Sequence, residues 1–367
     1  MDIAIIYSEG LIEYDFGPGH PFRGNRYTSF MEHLNQYLTE GKDYKLYRAD
    51  YANDEDLLLI CNKDYIEATR EIYRAAHSGI IYPRNFSMYQ SGDNLPYNKP
   101  GRIEEAARLV IGQAKLAADL VQSNTIKKAI SIGGGLHHAK PHYGEGFCLY
   151  NDVAYCAKYL LENYNLDKIL ILDTDAHAGN GTCEYFYEEP RVLFIDIHQD
   201  PRTLYPGTGF VHQIGRGKGE GFTVNIPMPP FAGDASYELA FDEIIFPLVN
   251  EFQPQIIIRN GGSDPHYNDH LTNLSLTLQG FNMIGTKVRL LSEICNGKEI
   301  DLIASGYNQE VLPYAWLSLI SSLINKPLEL TDPSQPLEKY FEEPVEETKY
   351  ILNELKKTLS YHWKCFK

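Results

Sequence analysis

Four consecutive apolar residues, Ile169-Leu170-Ile171-Leu172, run directly into Asp173-Thr174-Asp175-Ala176-His177-Ala178-Gly179. A strand with one wet face alternates apolar and polar residues. A strand with no polar face belongs to a sheet covered on both sides, which points to parallel strands with helices packed over them. The carboxylates and the imidazole that follow are poor material for a core. Side chains alternate along an extended chain, so Asp173, Asp175 and His177 are expected to emerge on one side at the strand tip. The mouth of an open parallel sheet is also where α/β proteins hold their ligands. Two carboxylates and an imidazole converging there predict a divalent metal site.

Strand-like segments recur near Ile3–Tyr7, Tyr44–Tyr47, Ala129–Ile132, Val192–Ile197, Phe222–Ile226, Ile256–Arg259 and Leu302–Ser305. Helical patterns lie between them, at Ile103–Val121, Val153–Asn163, Tyr237–Phe252 and Leu276–Cys295. This alternation predicts an α/β fold with a mostly parallel central sheet flanked by helices. No composition shift divides the 367 residues, so one domain is expected over the whole chain. Ser87–Gly101 and Gly215–Gly221 are rich in loop-forming residues and are candidate rim loops. A linker at Thr331–Pro336 leads to an amphipathic helix, Val345–Leu359, within a helical tail from about residue 337.

Composition excludes some functions. With 33 basic against 49 acidic residues the net charge is −16, which argues against direct binding to nucleic-acid phosphates. No stretch is apolar enough to cross a bilayer, and Met1–Tyr7 does not open a signal peptide, so the cytoplasm is the expected location. The six cysteines never form a C-x-x-C pair and read as reduced thiols. Oligomeric state is left open.

Other strand ends carry polar groups. Ile130–Ala139 is a strand, three glycines and the pair His137-His138; Gly146–Asp152 ends in Asn151-Asp152; Arg259–Asp264 is strand, two glycines and Asp264; Ala304–Asn308 leaves Tyr307 at a tip. Each has a bland alternative. A histidine pair is usually incidental, an Asp after glycines usually caps a turn, and a Tyr usually packs with its hydroxyl in water. His20, His198, His266 and His270 read as loop hydrogen-bonding residues and Cys148 as a packed thiol.

Taken in order, these segments resemble the zinc-dependent histone deacetylase family, including acetylpolyamine amidohydrolases and acetoin-utilisation proteins. The resemblance rests on Tyr14–Arg26, Gly133–Asp152, Asp173–Thr182, His198–Gly209, Gly261–Thr277 and Ser305–Asn308. It implies an arginase/deacetylase-like fold and hydrolysis of an acylated amine, such as acetyl-lysine or an acetylated polyamine. It also implies zinc, or alternatively ferrous iron, on Asp175, His177 and Asp264. His137 and His138 would be the catalytic histidines, with His138 as general base, and Asp173 and Asn180 the groups that orient them. Tyr307 would donate to the oxyanion. Phe147, Tyr205 and Gly146 would line the acyl tunnel, and Asp93 would hold substrate at its rim. A monovalent cation, K+ or Na+, is expected beside Asp173 and the backbone around Asp175, His177 and Asp196–Ile197. The chain departs from the family at Ala178 (often His), Asn180 (commonly Asp), Asp196 (often Ser) and Ser305 (Gly), and none of these removes a catalytic group. Two other readings are an arginase-type ureohydrolase, which needs a two-metal cluster and lacks the His pair and Gly-Tyr, and a catalytically silent acyl-lysine-binding scaffold.

Overall fold

In the computed structural model, residues 2–334 and 342–367 are described. A strand forms at each expected place: β1 Ile3–Ile6, β2 Lys45–Tyr47, β3 Lys128–Ile132, β4 Ile169–Asp173, β5 Val192–Gln199, β6 Thr223–Met228, β7 Ile256–Gly261 and β8 Glu299–Ile303, the last starting three residues before the expected Leu302 and ending before Ser305. They fall into two compact units, one of Met1–Asn165 with Ile300–Ala304, the other of Leu166–Glu299 with Ser305–Lys367.

The first unit carries its strands in the order β2-β1-β3-β8. β1 is parallel to both of its neighbours, with Ala4 opposite Lys45 on one side and Ala129 on the other. Its long helix, Ile103–Gln122, buries Ala107, Val110, Ile111, Ala114, Ala118 and Val121 and packs on β3 and on helix Asp152–Asn163. The three-to-four spacing of these side chains makes one broad apolar face, and small alanines let the helix lie close. Helices Asn25–Tyr37 and Lys63–His77 were not anticipated.

In the second unit the order is β7-β4-β5-β6, and each of these strands runs parallel to its neighbours within the unit. β4, β5 and β7 are buried along their whole length; each opens on an apolar run, Ile169–Leu172, Val192–Ile195 and Ile256–Ile258, and ends in polar residues at its tip. The register sets Asp173 of β4 beside Asp196 of β5 and Asn260 of β7, a polar row across three strand tips. The helix expected at Tyr237–Phe252 starts at Asp234 and is broken by one widened turn, Phe241–Ile245. Pro247 follows at once; lacking an N–H, it cannot close an ordinary helical bond to Glu243. Helix Val345–Leu359 has the expected bounds and buries Leu352, Leu355 and Leu359, packing on β6 and on helix Asp234–Ala240. The end of the linker and the expected start of the tail, within 335–341, lie outside the described residues. Helix Leu312–Leu323 was not anticipated either.

No helix among the described residues is long and apolar enough to cross a membrane. None of the six cysteines is in a disulfide.

Candidate metal centre and active site

β4 stops at Asp173, so the residues beyond it are placed by turns and not by strand alternation. The Asp173 carboxylate accepts the N–H of Asp175 at 3.1 Å, and the Asp175 carboxylate accepts the N–H of His177 at 2.8 Å. Each aspartate thus folds the chain back on itself two residues on, which short acidic side chains do readily. The expected convergence is correct for Asp175 and His177, but its cause is this pair of side-chain-closed turns. Asp173 also accepts the Asn260 amide at 2.8 Å.

Asp264, just past β7, completes a buried cluster: ligand atoms of Asp175, His177 and Asp264 all lie within 4.8 Å of one another. His177 Nδ1 is 3.2 Å from Asp175 and 3.0 Å from Asp264. Burial, then repulsion from Asp175, pushes the Asp264 carboxyl well above the usual carboxylate range. Burial alone would depress the His177 imidazole, but the two facing carboxylates outweigh it and lift it to about 10. Such a set is electrostatically frustrated on its own, and a divalent cation among the three would relieve it. The donor set fits a metal, with too few protein ligands to close the coordination shell.

The same unit brings Tyr307 and Tyr205 to this cluster. Their ring centres lie 6.3 Å and 6.5 Å from the His177 ring, Tyr307 standing at 90° to it. Tyr205 is exposed and Tyr307 half-buried. The loop bearing Tyr307 is pinned at Ser305, whose hydroxyl donates to Asp264 at 2.8 Å and whose carbonyl accepts the Ser263 N–H at 2.9 Å and the Trp316 indole N–H at 3.0 Å. Gly306 sits at φ +131°, and a Cβ there would fall 1.9 Å from Ser263 Oγ, so glycine is required between the two functional positions. Asn180 opens the short helix Asn180–Phe186 immediately after the metal loop.

In the first unit, β3 ends in a glycine turn that presents His137 and His138, both buried, with their Nε2 atoms 3.1 Å apart. The turn is held from helix Asp152–Asn163. Asp152 accepts the N–H groups of Gly135 at 2.8 Å and Leu136 at 2.7 Å, and the Asn151 amide donates to the carbonyls of His137 and Ala139, each at 3.1 Å. Burial raises the Asp152 carboxyl to about 6 against these hydrogen bonds. Gly146 lies against the His138 ring, and its N–H donates to Asp93 at 2.9 Å. Phe147 stands beside it at φ +65°, its ring centre 4.8 Å from that of His20. His20 accepts the Phe22 N–H on Nδ1, so Nε2 donates to the Asp93 carbonyl at 3.0 Å, a loop-fixing role as expected. His198, near the end of β5, bridges Asp196 of the same strand and the Gly209 carbonyl of the following loop.

A model of the histone deacetylase domain matches residues 20–323 of this chain. The chain belongs to the histone deacetylase family. A "Probable deacetylase" of Archaeoglobus fulgidus is 35% identical over 376 residues, covering 100% of both chains. An "Acetoin utilization protein AcuC" of Staphylococcus aureus strain COL is 37% identical over 332 residues, 89% of this chain and 82% of the relative, and that of Staphylococcus xylosus is 37% identical over 325 residues. The α/β architecture with parallel strands and flanking helices is the one expected for this histone deacetylase relative, and the family supports a deacetylase activity.

Sequence reasoning assigned no role to Asn260, Asp269, Asn151 or Asp152, and read Ser305 only as a departure from the family. Asn151 carried a visible signal, as an amide set between Phe147–Tyr150 and Val153–Ala157, where a buried polar group must find a partner, and Asn260 a weaker one at the end of an apolar strand. Ser305 and Asp269 carried none, since their partners are distant in sequence.

Proposed function

We propose that this chain is a metal-dependent amidohydrolase that removes an acetyl or other short acyl group from an amine, with residues 1–367 acting as one catalytic domain in the cytoplasm. The observation that carries the reading is the buried Asp175–His177–Asp264 cluster with Tyr307 beside it, in a chain of the histone deacetylase family. Asp175, His177 and Asp264 would hold zinc or ferrous iron, and a monovalent cation would sit beside Asp173. The divalent ion would polarise the acyl carbonyl and acidify a water molecule.

The chain's own groups do the rest. His138 takes a proton from the attacking water and returns it to the departing amine. His137 stabilises the negative charge that develops, with Asp173 and Asn180 orienting the pair. The Tyr307 hydroxyl donates to the oxygen that becomes an oxyanion. The C–N bond breaks as the amine is protonated, giving a carboxylic acid and a free amine. Phe147, Gly146 and Tyr205 line the acyl group's path, and Asp93 holds the substrate at the rim.

The test is turnover of a fluorogenic acetyl-lysine peptide and of N-acetylputrescine by zinc-loaded protein, with and without a hydroxamate chelator. Chelator-sensitive acetate release from either establishes the activity, and the ratio of rates gives the substrate class. Metal-loaded protein that hydrolyses neither would refute the acetyl-amine reading.

A further inference from the structure

The Tyr307 ring stands beside the metal cluster at the end of a loop that must itself be held in place. A phenol on a half-buried loop stabilises an oxyanion only when the backbone beneath it is fixed, because the donor must lie within a few tenths of an ångström of its place. Three consecutive turns do this fixing. The Asp269 carboxylate bridges two backbone N–H groups, that of Tyr307 at 2.7 Å through Oδ2 and that of Leu271 at 2.9 Å through Oδ1. The Asp269 N–H is itself held by the His266 carbonyl at 2.9 Å, and the neighbouring Asn268 carbonyl takes the Asn308 amide at 2.8 Å. The turn is tied at its far side to the segment after helix Leu312–Leu323. His266 accepts the Asn268 N–H on Nδ1, which leaves Nε2 to donate to Asp332 at 2.9 Å. The Asn268 amide meets Ser334 at 3.1 Å.

We propose that Asp269 is the positioning residue of the oxyanion donor, bridging the Tyr307 and Leu271 peptides, and that the C-terminal segment steadies it through the His266–Asp332 contact. Neither Asp269 nor Asp332 touches the substrate; both act through the Tyr307 backbone. The proposal rests on the reading of Tyr307 as oxyanion donor.

Asp269→Asn tests it with little change in volume. An amide offers one acceptor oxygen where the carboxylate offers two, so one of the two bridged N–H groups then faces an NH2 donor. Displacing a catalytic group by about an ångström costs on the order of 100-fold. The expected result is a fall in kcat of roughly 10- to 100-fold. KM and the metal content per chain should stay close to wild type.

A double-mutant cycle with Tyr307→Phe separates positioning from general damage. If Asp269 works through the phenol, D269N lowers kcat no further once Tyr307→Phe is already in place. Equal fold-losses in both backgrounds, or an undiminished kcat in D269N, would overturn the proposal. A Tyr307→Phe enzyme with wild-type kcat would instead overturn the underlying reading of Tyr307, and this proposal with it. Asp332→Ala supplies the same cycle from the far end if D269N does not fold. It should lower kcat a few-fold with Tyr307 present and not at all in the Tyr307→Phe background, and an equal drop in both backgrounds overturns the C-terminal part.

Discussion

Gly146 offers a sharp test of how the His138 ring is confined. The residue sits at φ +59°, and a Cβ built on it would lie 2.2, 2.5 and 2.9 Å from Cδ2, Cγ and Cβ of His138. Carbon atoms in ordinary contact stand about 3.5–4.0 Å apart, so Gly146→Ala forces a displacement of more than about an ångström. The ring has little room to retreat. It is buried with its Nε2 3.1 Å from that of His137, and Asn151 clamps the carbonyls on either side of it. The left-handed backbone alone costs a side chain about 1–2 kcal/mol. Overpacking adds about 1–3 kcal/mol. Gly41 provides the control, at φ +81° with nothing within 4 Å of a built Cβ. Gly41→Ala should lose only the backbone contribution and keep its turnover. Gly146→Ala should lose about 2–5 kcal/mol in urea denaturation, or shed that strain by moving the ring and lose on the order of 100-fold in kcat on the acetyl-lysine peptide. If the two alanine variants match in both stability and turnover, the argument that Gly146 confines His138 is wrong.

Tyr307→Phe should keep the metal and lose about 10²–10³ in kcat, as for removal of one oxyanion donor, whereas Asp264→Ala should lose the metal itself. Equal metal loss by elemental analysis in both would contradict these separate roles. Ser305→Ala deletes the hydroxyl that donates to Asp264. It should weaken metal affinity by about 10- to 100-fold in a chelator competition, and an unchanged affinity would remove Ser305 from the metal site. Burial raises the Asp152 carboxyl to about 6, above its unfolded value, so the folded state holds that proton more tightly and the contribution to stability falls as pH rises through the folded value. Between pH 5 and 7 the wild type should therefore lose roughly 1 kcal/mol relative to Asp152→Asn in urea denaturation, and a gap that is constant with pH would disprove the assignment.

The fold was legible because its strands are short, several open on apolar runs, and helical periodicity separates them. Ile169–Leu172 of β4, Val192–Ile195 of β5 and Ile256–Ile258 of β7 have no polar face, which announces burial on both sides. Helix Asn25–Tyr37 was not: its buried stripe includes Arg26 and His33, which blur the apolar face. Helix Lys63–His77 did carry a signal that went unread, because Tyr65, Ile66, Thr69, Ile72, Tyr73 and Ala76 follow the three-to-four spacing of one buried face. Helix Leu312–Leu323 fails for the opposite reason. It is buried almost all round, which erases the periodic signal.

The site divides along a similar line. Residues that meet near neighbours in sequence were readable, as with Asp175 and His177, where two short acidic side chains close successive turns. Asp264, 87 positions from His177, was reached only through the family resemblance, and the supporting contacts that span many residues were not readable. Ser305 reaches Asp264 over 41 positions, and Tyr307 reaches Asp269 over 38. Both contacts follow from bringing the loop after β7 against Ser305–Asn308, an approach that Gly262 and Gly306 permit by having no side chain to obstruct it. A Cβ on Gly262 would lie 2.1 Å from the Ser305 carbonyl oxygen. The glycines were therefore the visible trace of a contact whose partners were hidden. A strand followed by glycines and one functional residue marks a place where two backbones must touch, and the second backbone is where the supporting residues are to be sought.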